Sequence, residues 1–343
     1  MNRALMITGE YPPVIGGIGD YTSRLMNTQE AKSWILFYKK YWNVFLLLRY
    51  IKEIIKIKPD CIFMQYPTRG YAWSFSPYLL CLYFSLFSNI SFIPVVHEYS
   101  QLHIIRKIQM TILLFSAKKI IAISAFEMDA LIKRNKKLRG KIKILKTVPH
   151  FEIDNSPKIL KQRYYDIAYF GLISKNKGIE VFIDAVSKYK KKNPELKTVI
   201  IGGFPDTKAF RRYSAHIVNL AAENYIETII NKTLAEISKI LVDTKILLLP
   251  FPDGCSERRG TFISGLNAGC VVITTKGKYT TNEMLETAFF ISDNNQIENY
   301  FDNILLDMTE ECYIKHKDKG KTYLKELPSW NEIAREYNAF SKK

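Results

Sequence analysis

Cysteines are few, and a carboxylate motif that commonly accompanies a metal is missing. The five cysteines are widely separated and never form a C-x-x-C arrangement, which argues against a disulfide framework and against a zinc site. No Asp-x-Asp occurs, although carboxylates commonly hold the Mg²⁺ that accompanies phosphate groups. We therefore predict a reducing compartment, no metal site and no cofactor.

The sequence shows neither the pattern of a signal peptide nor an uninterrupted membrane span. The N-terminus lacks the charged start, apolar stretch and small-residue cleavage site of a signal peptide, so we expect a cytoplasmic protein. One uncharged run, Tyr71 to Val96, is long enough to cross a bilayer. Pro77 and Pro94 interrupt it, and Phe92–Val96 has the pattern of a strand. The run therefore predicts a buried helix followed by a strand.

Acidic residues are scarce relative to basic ones, and the imbalance is uneven. The chain has 33 Asp and Glu against 50 Lys and Arg, a formal net charge of +17. Residues 1–155 hold 22 basic and 10 acidic residues, whereas the remainder holds 28 and 23. A positive field favours anionic partners such as a membrane surface, a nucleic acid or a phosphorylated substrate. Basic clusters such as Lys133 to Lys141 lack interleaved aromatic residues for base stacking, so we predict no nucleic-acid partner.

Short apolar runs alternate with amphipathic segments, which predicts α/β folding with parallel sheets. The 343 residues suit two domains, and a polar stretch at 154–158 interrupts the alternation. We predict an N-terminal Rossmann-like domain at 1–155, a C-terminal one at 156–328, and a helix at 329–343 that can pack back on the first. Strands are predicted in the first domain at Ala4–Thr8, Trp34–Tyr38, Cys61–Tyr66, Phe92–His97, Ile120–Ser124 and Ile142–Val148. Those of the second are predicted at Ile167–Gly171, Thr198–Ile201, Tyr225–Ile230, Ile246–Phe251, Val271–Thr275 and Phe289–Ile291.

One helix is predicted in detail, at Val44–Ile57. Its apolar residues recur at helical spacing: Phe45, Leu48, Ile51, Ile54 and Ile55. Its charged residues face outward: Lys52, Glu53 and Lys56.

Three strand-to-helix junctions have the features of anion sites. Gly16-Gly17-Ile18-Gly19 follows the first strand, and glycines let backbone N–H groups approach a phosphate, although a plain tight turn is the alternative. Lys177 stands at a helix start after Gly171, where a lysine opposes the helix dipole unless an anion neutralises it; a solvated lysine is the alternative. Arg258 and Arg259 stand at a later helix start and can hold phosphate oxygens in bidentate fashion.

Seven segments together match one protein family. They are Tyr11-Pro-Pro-x-x-Gly-Gly-Ile-Gly-x-Tyr21, Val95-Val-His-Glu98, Ala122-Ile-Ser124, the Gly171 to Lys177-Gly178 junction, Val199-Ile-Ile-Gly-Gly203, Leu248-Leu-Pro-Phe251 and Ser256 to Thr275. On these segments the chain resembles, over essentially its whole length, the retaining nucleotide-sugar glycosyltransferases of the GT-B fold. This large bacterial family builds surface polysaccharides and includes relatives of sucrose and glycogen synthase. The resemblance implies two Rossmann-like doubly wound domains facing each other across a cleft.

The resemblance also implies roles for matching residues. His97 matches the histidine that contacts the donor sugar, with a core or capping histidine as the alternative. Lys177 would neutralise the leaving diphosphate, and with His97, Arg258 and Arg259 it forms the predicted catalytic set. Asn231 occupies the place where the nucleobase usually stacks. The predicted donor-binding set is Gly16, Gly17, Gly171, Asn231, Ser256, Glu257, Gly260, Thr261 and Ser264.

Two departures from the family pattern concern the donor site. Ser256 and Ser264 replace the family's two glutamates that are separated by seven residues, and Glu257 is one position away. Another branch of the family has a similar Ser-x-Arg-Arg-Gly-Ser/Thr sequence, so we interpret the change as variation. The usual Gly-Arg before the lysine is Gly171-Leu172 here, and Arg258 or Arg259 can supply the missing positive charge.

The predicted function is therefore hexosyl-type transfer, with retention and without metal, from a nucleotide diphosphate sugar to a lipid-linked or saccharide acceptor. The predicted pathway is bacterial surface polysaccharide synthesis, as O-antigen or capsule. A nucleotide-sugar epimerase of the same fold and a non-catalytic nucleotide-sugar-binding protein are the alternatives. We further hypothesise that the first domain docks on the anionic inner face of the cell membrane, through basic segments such as Lys133 to Lys143 and the apolar stretch Tyr71 to Phe87. Solvated helix faces and core packing are the alternative for these segments.

Overall fold

A computed structural model of the chain describes residues 3–14, 16–100, 102–145, 148, 158–204 and 208–342. The chain divides into two compact units, one formed by residues 1–147 and 328–343 and the other by residues 148–327. The predicted boundary between residues 155 and 156 lies outside the described residues. So do Lys146 and Thr147 of the sixth predicted strand.

The first unit is built on a parallel six-stranded sheet. Its strands are β1 (Ala4–Thr8), β2 (Ile35–Tyr38), β3 (Cys61–Tyr66), β4 (Ser91–Val96), β5 (Ile120–Ala122) and β6 (Ile142–Ile144). Their order is β2-β1-β3-β4-β5-β6, so the direction of winding reverses between β1 and β3. All six strands were expected from the apolar runs, but β5 and β6 end earlier than predicted, at Ala122 and Ile144. Strand β5 is shorter because Ser124 instead caps the next helix, accepting from the Glu127 N–H.

Helices connect these strands, and four of them share one face of the sheet. The helices are α1 (Gly17–Met26), α2 (Leu47–Ile57), α3 (Ser76–Phe87), α4 (Ile104–Ser116) and α5 (Ala125–Arg134). Buried side chains of α2, α3, α4 and α5 belong to one apolar cluster with Ile7 of β1 and Met64 of β3. These four helices therefore cover the same face. Helix α3 and strand β4 confirm the prediction for the uncharged run from Tyr71 to Val96.

The apolar stripe of α2 differs from the prediction. Ile51 and Ile54 are buried, but three residues predicted on the same stripe are exposed: Phe45 by 89%, Leu48 by 72% and Ile55 by 47%. A 3₁₀ turn at Val44–Leu46 precedes the α-helix. Because a 3₁₀ turn has three residues per turn instead of 3.6, α-helical spacing does not give the direction of the Phe45 side chain. Leu48 and Ile55 lie within α2, whose buried residues are Tyr50, Ile51 and Ile54.

The second unit is built on another parallel six-stranded sheet. Its strands are β7 (Tyr165–Leu172), β8 (Thr198–Gly203), β9 (Glu227–Ile230), β10 (Thr244–Leu249), β11 (Val271–Thr275) and β12 (Phe289–Ile291). All six were predicted, with small differences at their ends. The order is β12-β11-β10-β7-β8-β9, which is a doubly wound order that reverses between β7 and β10.

Helices cover both faces of this second sheet. They are α6 (Ile179–Lys192), α7 (Lys208–Glu223), α8 (Leu234–Val242), α9 (Gly260–Asn267), α10 (Asn282–Leu285), α11 (Ile297–Asp302) and α12 (Glu310–Lys325). Two consecutive residues of β10, Ile246 and Leu247, belong to two separate apolar clusters. Since neighbouring side chains of a strand point to opposite faces, each cluster is the core of one face.

A last helix, α13 (Trp330–Ser341), belongs to the first unit. The Tyr337 hydroxyl lies 3.1 Å from that of Tyr21, and the indole N–H of Trp34 donates to Asn338 at 3.0 Å. The C-terminal helix thus packs against the first unit. None of the helices in the described ranges combines the length and the apolar character needed to cross a bilayer.

Candidate functional site

Two loops meet at the carboxyl edge of the second sheet, where the winding reverses. One follows β7 and contains Lys177, and the other follows β10 and begins at Pro250. Gly178 has φ +81°, and a Cβ atom there would lie 2.0 Å from the Pro250 carbonyl oxygen. Only glycine fits this position. The Tyr169 hydroxyl donates to the Lys177 carbonyl at 3.2 Å, so the backbone at Lys177 is held beside the end of β10.

The loop after β10 is anchored to the neighbouring strand. The Cys255 N–H donates to the Thr275 carbonyl at 2.8 Å, and the Thr275 hydroxyl donates to the Phe251 carbonyl. Gly254 has φ +81°, and a Cβ atom there would lie 2.3 Å from the Cα of Gly277. These contacts hold the loop in one place at the end of β11, and they preorganise the side chains that follow.

Arg258 and Arg259 form a buried cationic pair at the start of α9. Their side chains are 6% and 8% exposed, and both guanidinium groups donate to the Asp253 carboxylate. The Arg259 guanidinium also lies 4.3 Å from the centroid of the Phe251 ring. Two arginines and one aspartate leave one positive charge, to which the start of the helix adds its partial positive charge. This arrangement suits an anion, as predicted from the arginine positions.

Two serine hydroxyls beside this pair have no hydrogen-bond partner among the described residues. Ser256 is 5% exposed and Ser264 is 1% exposed, and within the described chain neither Oγ atom has a partner. An unsatisfied buried hydroxyl costs about 1–3 kcal/mol, so its presence calls for an explanation. A polar ligand at the start of α9 would supply the missing partners. These are the two positions at which the family has glutamates.

The remaining predicted donor residues lie at different distances from this cluster. Glu257, Gly260 and Thr261 are in the same segment, with Gly260 the first residue of α9. Gly171 lies near the end of β7. Asn231 follows the edge strand β9, where its side-chain oxygen accepts from the Phe204 N–H at 3.2 Å. Because β7 and β8 separate β9 from β10, Asn231 lies about 14 Å along the sheet from the end of β10, where the cluster begins.

The first unit has a second, differently charged junction at its own reversal point, between β1 and β3. Glu10, 3% exposed, follows β1, and its carboxylate lies 3.8 Å from the guanidinium of Arg69, which follows β3. Burial raises the pKa of Glu10, while Arg69 opposes the shift. A Cβ atom on Gly16 would lie 1.4 Å from the Glu10 carboxylate, whereas none of the described atoms lies within 4 Å of a Cβ on Gly17. The glycine loop therefore accommodates the protein's own carboxylate at Gly16.

His97 is buried at the end of β4. It is 4% exposed, its Nε2–H donates to the Gln65 side-chain oxygen at 2.5 Å, and the Tyr21 ring meets it edge-on with centroids 4.9 Å apart. Burial lowers the pKa of His97 to about 3. The imidazole is therefore neutral at physiological pH. A contact between His97 and the donor sugar stays a prediction.

Three charged residues of these junctions were not singled out from the sequence: Glu10, Arg69 and Asp253. Each follows a strand that flanks a reversal of winding, which is the signal that could have identified them. In the described ranges, no group of three or more His, Cys, Asp and Glu side chains is placed to hold a metal ion.

The chain is similar to known glycosyltransferases. The family model described as "Glycosyl transferases group 1" matches residues 150–323, and no curated protein matches the sequence significantly. A glycosyltransferase from Rickettsia africae ESF-5 is 17% identical, with 99% of this chain and 98% of that chain covered and a TM-score of 0.70. HepE of Anabaena, solved with UDP and glucose, is 12% identical, with 99% of both chains covered and a TM-score of 0.72. Sucrose-phosphate synthase from Thermosynechococcus elongatus is 14% identical, with 99% and 98% covered and a TM-score of 0.72. These matches confirm the predicted GT-B fold.

Proposed function

Because the chain belongs to the glycosyl transferases of group 1, we propose that it transfers a hexose from a nucleotide diphosphate sugar, with retention and without a bound metal. The observation that carries the proposal is the buried cluster at the β7–β10 reversal. There Arg258 and Arg259 stand at the start of α9, beside the hydroxyls of Ser256 and Ser264 that have no partner in the described chain.

The charge of this cluster suits a diphosphate. Arg258, Arg259 and Asp253 together leave one positive charge. Lys177, in the loop that meets theirs, would add a second positive charge against the negative charges of a sugar-linked diphosphate. Cations placed where charge develops on the leaving group stabilise the transition state of transfer. The second carboxylate that a hydrolase needs to activate water is not required for this chemistry.

The two serines would bind the nucleoside or sugar hydroxyls in place of the family's glutamates. A serine hydroxyl both donates and accepts, so it can pair with a ligand hydroxyl without adding negative charge. HepE of Anabaena was solved with UDP and glucose, which supports a uridine diphosphate sugar as the first donor to test.

The acceptor is proposed to be lipid-linked or a saccharide, in bacterial surface polysaccharide synthesis such as that of O-antigen or capsule. The protein would act in the cytoplasm and bind peripherally to the inner face of the cell membrane. The basic balance of residues 1–155, 22 Lys and Arg against 10 Asp and Glu, supports an anionic surface as its partner.

Donor binding is tested by a thermal-shift panel of UDP-, GDP- and CMP-sugars. A ligand at about 100 times its dissociation constant adds about 2.7 kcal/mol, which corresponds to a shift of roughly 5–10 °C for a unit of this size. The double variant Ser256→Ala/Ser264→Ala should keep or raise the melting temperature of the free protein, because it removes unpaired buried hydroxyls. It should also reduce the shift caused by the nucleotide sugar. An unchanged shift in the double variant would remove the serines from the donor site.

Transfer is separated from the alternatives by the product formed. Only a transferase releases free nucleoside diphosphate in proportion to added acceptor, whereas an epimerase converts the donor and a binding protein leaves it intact. Activity should survive excess chelator. A loss that magnesium or manganese restores would contradict metal independence.

A further inference from the structure

The first unit exposes an unusual number of apolar side chains. Of the 18 large apolar residues exposed in the described chain, 13 lie between Tyr41 and Phe115. Scattered exposed apolar residues are ordinary, but a concentration of them in one region marks an interaction site. The donor cluster of the second unit uses none of them.

Six of these residues lie at one edge of the sheet and are called the apolar rim. Helices α2, α3 and α4 cover the same sheet face and run back along parallel strands, so their N-terminal ends lie at the carboxyl edge of the strands. The rim consists of Phe45 (89% exposed), Leu48 (72%), Trp73 (55%), Ile104 (62%), Ile105 (50%) and Ile108 (57%).

Contacts join the two ends of the rim. The Trp73 ring meets that of His103, at the start of α4, with centroids 5.9 Å apart, and the Gln109 side chain donates to the Trp73 carbonyl at 3.3 Å. Toward α2, the rings of Trp42 and Tyr71 meet with centroids 5.1 Å apart. The segment before α3 is thus in contact with α4 on one side and with the segment that leads into α2 on the other.

Basic residues surround the rim. Residues 39–57 contain five Lys and Arg and one Glu, and residues 102–116 contain two basic and no acidic residues. Lys40, Lys52 and Lys56 are exposed. The Arg106 guanidinium lies 4.9 Å from the centroid of the Trp73 ring, which places a cation next to an exposed indole.

We propose that the apolar rim docks on a bilayer that contains anionic lipid. On such a membrane the apolar side chains of the rim would enter the boundary between headgroups and acyl chains, and the indole would lie at the membrane–water interface. The Lys and Arg side chains would meet the anionic headgroups. A second copy of the chain fits this surface poorly, because two faces of the same positive sign would repel each other. The inference rests on the proposed transfer to a lipid-linked acceptor, since the rim borders the strand edge where ligands of such sheets bind.

The test is sedimentation of the full chain with vesicles, in the absence of donor and acceptor. Vesicles of 70% phosphatidylcholine and 30% phosphatidylglycerol should pellet the protein, and the pelleted fraction should fall as salt rises. Vesicles of phosphatidylcholine alone should bind it much more weakly. Equal recovery in the supernatant with both vesicles at low salt would overturn the proposal.

Variants locate the surface. Phe45→Ser and Ile108→Ser should each weaken vesicle binding by about tenfold, as expected when a partly inserted apolar side chain is lost. Lys52→Ala should weaken it by about fivefold. The matched control is Phe115→Ser, at the opposite end of α4 and 66% exposed, which should bind within about twofold of the wild type. Equal losses in the control and the rim variants would contradict the assignment.

Two further measurements separate this proposal from others. A concentration-dependent dimer in sedimentation velocity that the rim variants abolish would assign the rim to a second copy and overturn membrane docking. A protein that fails to bind vesicles but is stabilised by a nucleotide sugar would contradict the docking alone. Vesicle binding without any nucleotide-sugar shift would contradict the proposed function alone.

Discussion

Replacing Arg259 with alanine perturbs the charge of the proposed donor site while leaving most of its scaffold in place. Arg259 is 8% exposed, lies over the Phe251 ring, and shares the Asp253 carboxylate with Arg258. In the variant, Arg258 and Asp253 neutralise each other. The charge of this group of three residues therefore falls from one positive charge to none.

The expected magnitude follows from the distance at which a diphosphate would bind. At an effective dielectric constant of about 20 and a separation of about 5 Å, one pair of unit charges interacts by about 3 kcal/mol. A loss of that size corresponds to roughly a 150-fold lower kcat/KM. The stability cost is smaller, because the Asp253 side chain is 37% exposed and keeps Arg258 as its partner. We expect the loss of the ion pair and of the ring contact to lower the free energy of unfolding by about 1–2 kcal/mol.

The assay is acceptor-dependent release of nucleoside diphosphate, measured with the melting temperature of each variant. Arg259→Lys keeps the charge but loses the planar fork, so it should retain activity within about tenfold of the wild type. Arg212→Ala removes an exposed arginine of α7 and should leave kcat/KM unchanged. Near-normal turnover of a folded Arg259→Ala protein would refute the diphosphate site.

Three further outcomes are expected from residues of the same loops and of the first unit. Lys177→Ala should lower turnover by about tenfold to a thousandfold, whereas Lys175→Ala, an exposed lysine of the same loop, should not; equal effects would remove Lys177 from the mechanism. Burial lowers the pKa of His97 to about 3, so the stability it contributes is complete above about pH 6.5 and is lost as the pH falls toward 3. The free energy of unfolding, measured with urea, should therefore fall by about 2 kcal/mol less in His97→Gln than in the wild type between pH 7 and pH 5. An equal fall in both proteins would show that His97 does not control the pH dependence of stability. Gly178→Ala should lower both the melting temperature and the nucleotide-sugar shift, because its Cβ would meet the Pro250 carbonyl oxygen at 2.0 Å; wild-type values for both would contradict the contact between the two loops.

Much of the fold could be predicted because its signals are local. A β-branched run such as Val271–Thr275 identifies a strand without reference to any other segment, and the structure has the same strand. The positions of Lys177 and Arg259 at helix starts were likewise predictable, since a strand, a polar loop and an amphipathic segment follow one another directly. The 3₁₀ turn that precedes α2 could not be predicted, because the switch from 3₁₀ to α-helical winding after Leu46 leaves no mark in the apolar spacing.

The sequence by itself determined the alternation of strands and helices, the glycines and cations at the strand ends, and the family resemblance. Only the tertiary structure decided that Asp253 is shared by Arg258 and Arg259, that the Ser256 and Ser264 hydroxyls are buried without a partner in the described chain, and that Glu10 lies against Gly16. The physical reason is that burial and charge pairing depend on which strands become neighbours. Strand order joins segments such as β7 and β10, which are about seventy residues apart in the chain, and no local pattern records that contact.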